Sequence, residues 1–203
     1  MNETTKSHSF IFIQTVLRPM YVCSLFQTDF SGNKVDDFQG VFHALSKLHL
    51  DSETLVVVTR GPGSYAGIRT AIAYAYGLLH GSALAQNQLK SVTSFDILRA
   101  GTNHLGPIYE KAWPRLQNGA AKGSKGYFQP TQHADISYTT WETVQKKEEL
   151  LLVSAEKISD YSGEQSQYED ILCDAATYRS LAANHSSFST SLEPLYINPV
   201  HIS

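Results

Sequence analysis

The chain has 203 residues, 42% of them hydrophobic and 17% charged, with a formal net charge of −3 and an isoelectric point near 6.2. That balance argues against a strongly basic nucleic-acid-binding protein and leaves ample core for one domain or two small lobes. Residues Met1 to His8 are polar and no run of eighteen apolar residues occurs, so neither a signal peptide nor a membrane span is expected and the expected location is the cytoplasm.

Phe10 to Ile13 open a strand running towards Val16, Arg18-Pro19 makes a turn, and Met20 to Phe26 form a second strand. A turn around Gly32 is expected over Asp29 to Asn33, then a short strand near Val35 to Phe38. From Gly40 to Leu50, Val41, Phe42, Leu45 and Leu48 recur at helical spacing. Leu55 to Val58 are four consecutive apolar residues, the pattern of a strand buried on both faces of a parallel sheet with helices on either side. Gly61-Pro62-Gly63 then turns the chain, Ser64 is placed to cap a helix reaching His80, and Gly81 stops it. Between Tyr65 and Leu79 the only charged residue is Arg69. Such a helix is expected to be buried all round, with one side on the sheet. Its stripe of Gly67, Ala71 and Ala75 admits a second helix, from this chain or from a partner.

The glycines, with Arg60 and Arg69 nearby, have the makings of an anion site. They lack the spacing of the dinucleotide fingerprint, its acidic ribose ligand and the Gly-Lys-Ser/Thr of a Walker loop, so no nucleotide or other cofactor is expected. The eight histidines are scattered without a His-Glu-x-x-His pair, and Cys23 and Cys173 lie far apart, so no metal site is expected and both thiols read as buried and free. Ser64 is outside any Gly-x-Ser-x-Gly elbow, and Asp36 and Asp37 read as an exposed strand end.

Further on, a strand over Leu84 to Val92 and a helix over Thr93 to Ala100 lead into a loop, Gly101 to Gly106. That loop divides an N-terminal lobe, 1–100, from a smaller C-terminal lobe, 101–203. Ile108 to Gln129 is expected to hold a hairpin with Tyr127 to Gln129 as one strand. Lys111, Arg115, Lys122 and Lys125, interleaved with Trp113, Tyr127 and Phe128, suit either RNA contact or a solvated hairpin with core aromatics. A helix over Trp141 to Glu149, a strand over Leu150 to Val153 and a helix over Tyr168 to Ala183 complete the reading.

Gly61 to Arg69 resembles the GPGSFTGLR signature of the TsaB (YeaZ) family, with Tyr65, Ala66 and Ile68 in place of Phe, Thr and Leu. Glu193-Pro194-Leu195-Tyr196-Ile197 resembles that family's EPxYL ending. The resemblance implies a two-lobed α/β fold, ribonuclease H-like, of the actin/sugar kinase/Hsp70 superfamily, and the order strand-strand-strand-helix-strand-helix-strand agrees with it. It implies a non-catalytic scaffold that pairs with the larger paralogue TsaD, helped by the ATPase TsaE, for threonylcarbamoylation of adenosine 37 in tRNA. The implied interface is Val41 and Leu45 with Gly67, Ala71, Tyr74, Ala75 and Leu78. The same surface would serve a homodimer, and contact with tRNA would be indirect or weak.

Two acidic positions of the family depart from its pattern. Ile13-Gln14-Thr15 stands for IDT, and a neutral amide lacks the charge to hold magnesium. The DAR and GEVY pattern is nearest to Ala120-Ala121-Lys122 and Ser124 to Tyr127, with Ala120 at the aspartate. The competing reading, a nucleotide-dependent kinase or hydrolase of that superfamily, requires a carboxylate that Gln14 does not supply.

Overall fold

The computed structural model describes residues 9–27, 29–48, 50–82, 84–111, 125–154 and 163–197. The first sheet is built from β1 (Ser9–Gln14), β2 (Met20–Phe26), β3 (Asp29–Val35), β4 (Thr54–Thr59) and β5 (Leu89–Val92), in the order β3-β2-β1-β4-β5. β1, β4 and β5 are parallel, whereas β2 and β3 form an antiparallel meander on the β1 edge. The unbroken apolar runs of β1 and β4 follow from burial on both faces. Phe10, Phe12, Leu55 and Val57 enter one core cluster, and their neighbours Ile11, Ile13, Val56 and Val58 enter another. The register Ile11↔Val56 and Ile13↔Val58 keeps like faces together.

Local chemistry moves several boundaries. Gly32 is no turn: it lies within β3 opposite Cys23, where the Tyr21 side chain lies over it and leaves no room for a Cβ. The chain reverses instead at Gln27, which has φ +52°. The third strand ends at Val35, and Asp37 is not an exposed strand end but the N-cap of α1 (Phe38–Leu45), accepting from the Gly40 amide at 2.7 Å. Helix α2 (Tyr65–Gly81) begins as expected, with the Ser64 hydroxyl accepting from Gly67 N at 3.2 Å. Gly61 and Gly63, with φ +115° and +143°, make the preceding turn in backbone that favours glycine.

Burial of α2 on every side is not observed. Gly67, Ile68, Ala71 and Ala75 are buried, while Ala66, Arg69, Ala73, Tyr76 and Gly77 are exposed. The small-residue stripe faces the first sheet, and at Gly67 the helix comes so near the Thr15 carbonyl that a Cβ would collide with it.

After α3 (Ser94–Thr102) a second sheet forms from β6 (Ile108–Lys111), β7 (Lys125–Gln129), β8 (Ser137–Thr140), β9 (Leu151–Ser154) and β10 (Gln165–Gln167), in the order β10-β9-β6-β7-β8. The β6–β7 hairpin matches expectation. β8 and β10, short and only partly buried, were not expected. The helix expected over 141–149 is the single turn α4 (Trp141–Val144). That expected over 168–183 is broken into α5 (Tyr168–Leu172) and α6 (Ala175–Ala183), because Asp174 caps a new start by accepting from Ala176 N.

One continuous core joins Phe12 and Val57 of the first sheet, Phe95 and Leu98 of α3, Tyr178 and Leu181 of α6, and Ile108, Leu151 and Val153 of the second sheet. The chain thus changes sheet between β5 and β6, and α6 with the segment after it returns to the first sheet. Cys23 is buried; Cys173, expected to be buried, is only half-buried at the end of α5; both are free. No described helix is long and apolar enough to cross a membrane.

Candidate functional site

The three parallel strands β1, β4 and β5 end side by side, the place where open α/β sheets gather ligands. Here the chain fills that place with its own polar groups. Gln14 is buried, and its Oε1 accepts from Val16 N at 2.8 Å and Leu17 N at 2.7 Å, while Nε2 donates to the Leu17 and Pro19 carbonyls at 3.4 and 3.0 Å. A carboxylate could still accept from the two amides but could donate to neither carbonyl. Thr15 donates its hydroxyl to the Gly67 carbonyl at 2.7 Å, and Ser64 N donates to the Val16 carbonyl, so this turn is laced to the start of α2.

A strap formed by residues 189–197 closes the other side. Ser189 exchanges both backbone hydrogen bonds with Ser91 at the β5 edge, the Ser91 hydroxyl donates to the Ser191 carbonyl, and Leu195 N donates to the Arg60 carbonyl at 2.8 Å. Tyr196 then packs on Tyr65, with ring centroids 5.0 Å apart. The EPxYL-like segment is therefore the end of a strap across the glycine turn.

Where the sheets meet, the geometry holds a carboxyl group that the sequence reading missed. Glu110 on β6 is 2% exposed, and Ser94 Oγ donates to its Oε2 at 2.8 Å. Burial pushes its pKa up to about 8, only partly opposed by the Ser94 hydrogen bond. Burial also raises the Tyr127 and Tyr168 hydroxyls, Tyr127 to about 12, with the charge on Glu110 adding to both. Ser94 N donates to the Gly61 carbonyl, so Glu110 is tied through α3 to the same turn. Ala120, where the family's aspartate was expected to be missing, lies with the rest of 112–124 outside the described residues. The strand opposite Gly126 and Tyr127 is β6, with Glu110 facing Tyr127 in register. Nearby, Arg99 is buried in α3, its Nε donating to Gln129 and its Nη1 to the His104 and Gly106 carbonyls, which pins the α3–β6 loop.

The seven residues expected to meet a partner are packed largely inside the chain. Val41, Leu45, Gly67, Ala71 and Ala75 are buried, so their outward role needs correcting: the side chains that the periodicity grouped together face the sheet. Tyr74 and Leu78 are half-buried, and the Tyr74 hydroxyl donates to the Phe38 carbonyl at 2.6 Å, joining α2 to α1. The open surface of this helix pair is formed by Phe42, 62% exposed, Tyr65, 43%, and Tyr76, 41%, around Ala66, Ala73 and Gly77. Of the basic and aromatic stretch, Tyr127 is core, Phe128 half-buried and Lys125 exposed; Trp113, Arg115 and Lys122 lie outside the described residues. Among the described residues no three His, Cys, Asp or Glu side chains are grouped to hold a metal.

Two five-stranded mixed sheets joined by a helical core, with a glycine turn and a strap over it, define a mixed α/β protein whose strand-end position is closed by its own chain. This is the fold of YeaZ. YeaZ from Pseudomonas aeruginosa superposes with a TM-score of 0.61 at 15% identity, over 93% of this chain and 99% of that one. An uncharacterized protein with similarity to peptidase YeaZ from Pseudomonas aeruginosa gives the same TM-score at 14% identity, over 94% and 100%. No protein-family model and no curated protein matches the sequence.

Proposed function

We propose that this chain is a non-catalytic, cytoplasmic scaffold subunit of ribonuclease H-like (actin/sugar kinase/Hsp70) lineage. In this reading it pairs with a TsaD paralogue, with TsaE as an accessory component, for threonylcarbamoylation of adenosine 37 in tRNA. The observation that carries the reading is the outer face of α1 and α2: Phe42, Ala66, Ala73, Tyr76 and Gly77 lie open to solvent, and Arg69 is the only Lys, Arg, Asp or Glu on either helix. Exposed small residues leave a smooth floor on which another helix can lie, and exposed aromatic rings at the margins are the side chains that anchor interfaces. A standard interface takes about 800 Å² from each partner, within the reach of two such helices.

The YeaZ fold supports the reading, as does the strand order with three parallel strands and an antiparallel meander at one edge. So does Gln14, whose amide is spent on the β1–β2 turn rather than left for a cation. The glycine-turn serine is likewise engaged as the α2 cap. On this reading the tRNA is reached through the partner.

Light scattering on a sizing column, with the chain alone and mixed with the TsaD paralogue of the same organism, tests it. A one-to-one complex is expected, abolished by Ala73→Arg with circular dichroism and Tm unchanged. A complex that forms equally well with Ala73→Arg, or none at all in the presence of TsaE and nucleotide, overturns the reading.

A further inference from the structure

Arg99 carries a positive charge beneath the loop that joins α3 to β6. It is 6% exposed, its Nε donates to Gln129 Oε1 at 3.0 Å, and its Nη1 donates to the His104 and Gly106 carbonyls, each at 2.9 Å. Those bonds use the Nε and Nη1 donors of the guanidinium and leave both N–H groups of Nη2. Nη2 is buried with no hydrogen-bond partner. The charge is not balanced either, since Arg99 forms no ion pair among the described residues. Burial lowers the pKa of its guanidinium, and the Asp96 charge, one turn back on α3, opposes this only in part. Asp96 Oδ2 is already taken by the Thr93 amide and hydroxyl, Glu164 faces His104 at 3.7 Å, and Asp135 and Glu149 are exposed.

Two surface loops are tied to this guanidinium. The α3–β6 loop is held directly through His104 and Gly106, and the β7–β8 loop through Gln129, whose Nε2 donates to the Gln132 and Ala134 carbonyls at 3.4 and 3.1 Å. Nε and Nη2 share one edge of the planar guanidinium, so the open donors lie beside the Gln129 amide oxygen. A buried cation with unfilled donors is unfavourable on two counts, the lost hydrogen bonds and the missing counter-charge. A water molecule would fill the donors and leave the charge; a small anion supplies both. We propose that a monovalent anion of chloride size binds at Arg99 Nη2, between the α3–β6 and β7–β8 loops, and fastens both loops to the end of α3. A dianion such as phosphate would bring more charge than one guanidinium offsets. Asn103, Leu105 and residues 130–133 are exposed, so the site lies under surface chain that an ion can pass.

The test measures Tm of the intact chain, of Arg99→Met and of Gln129→Glu in sodium chloride, sodium bromide and sodium gluconate at matched ionic strength, and looks for anomalous scattering in crystals of the intact chain grown in bromide. Chloride and bromide should raise the Tm of the intact chain saturably, by about 3–6 °C at about ten times the Kd, and gluconate should not. Bromide should give an anomalous peak at hydrogen-bonding distance from Nη2. Arg99→Met should lose the response. Gln129→Glu sets a fixed carboxylate on the Nε–Nη2 edge and should make chloride redundant. Equal Tm in the three salts, with no bromide peak beside Arg99, would mean that water alone fills the donors, and overturns the proposal. A halide response that persists undiminished in Arg99→Met or Gln129→Glu belongs to another site and overturns it as well. Should either variant fail to fold, the bromide peak on the intact chain decides the matter alone.

Discussion

Glu110→Gln isolates the cost of keeping an acid in the junction between the two sheets. The folded-state pKa of about 8 stands above the ordinary value of 4.5, so the folded chain holds its proton more tightly than the unfolded chain does. Below pH 4.5 both states are protonated and Glu110 costs nothing. Between pH 4.5 and about 8 the unfolded chain ionises first, and stability falls as pH rises. At about 1.4 kcal/mol per pH unit the ceiling on this loss is about 5 kcal/mol. Tyr127 and Tyr168 stay protonated throughout that window, because burial raises their hydroxyls above it, so Glu110 titrates without compensation from them. Glutamine keeps the oxygen that accepts from Ser94 and has no proton to lose. Urea unfolding of both proteins at about pH 4, 6, 7 and 8 should show matched stability at the lowest pH. The glutamine variant should lead by about 3–5 kcal/mol at the highest, or about 10 °C in Tm for a chain of this size. A difference that stays constant with pH would refute the reasoning, since it would mean that Glu110 is ionised in the folded state and balanced by a cation.

Gly67→Ala should destabilise the fold by about 2–4 kcal/mol in denaturant titration, because its Cβ would meet the Thr15 carbonyl and neither the helix nor the turn has a flexible atom to move. Gln14→Glu should cost about 2–4 kcal/mol near neutral pH, because the acid buries a charge and leaves the Leu17 and Pro19 carbonyls without the amide's hydrogen bonds; urea unfolding should recover part of that stability as pH falls and the acid protonates. Arg99→Met should cost about 2–3 kcal/mol and speed hydrogen exchange selectively in residues 103–106, where it releases the His104 and Gly106 carbonyls. Ala71→Arg should prevent folding, in contrast to Ala73→Arg two positions along, since Ala71 is buried and Ala73 exposed; circular dichroism of the two variants checks it.

The central layer of the molecule was legible because its signals are local. Leu55 to Val58 announced a doubly buried strand, Ser64 a cap, and Gly61 and Gly63 the turn between them, and each stands where expected. The face of α2 was misread for a physical reason. Small residues at four-residue spacing show that a backbone approaches closely, without showing whose, and here it is the chain's own Thr15. Gly32 misled in the same way: a glycine that signals a turn in sequence can equally leave room for a ring, and Tyr21 fills it. Glu110 escaped notice because strand partners are set by register, and the residue opposite Tyr127 stands well before it in the chain. Thr93 and Asp96, by contrast, form a capping box that was there to be read, and it fixes the start of α3 and with it Ser94.

The strap gives the chain a built-in proof of completion. Tyr65 belongs to the helix after the glycine turn, while Tyr196, the ring packed against it, is translated only after the whole second sheet and α6. A nascent or truncated chain that stops short of Ser189 has both sheets yet leaves the β5 edge bare, the Arg60 carbonyl unpaired and the Tyr65 ring without its neighbour. The start of α2 is thus completed only in a chain that carries the strap.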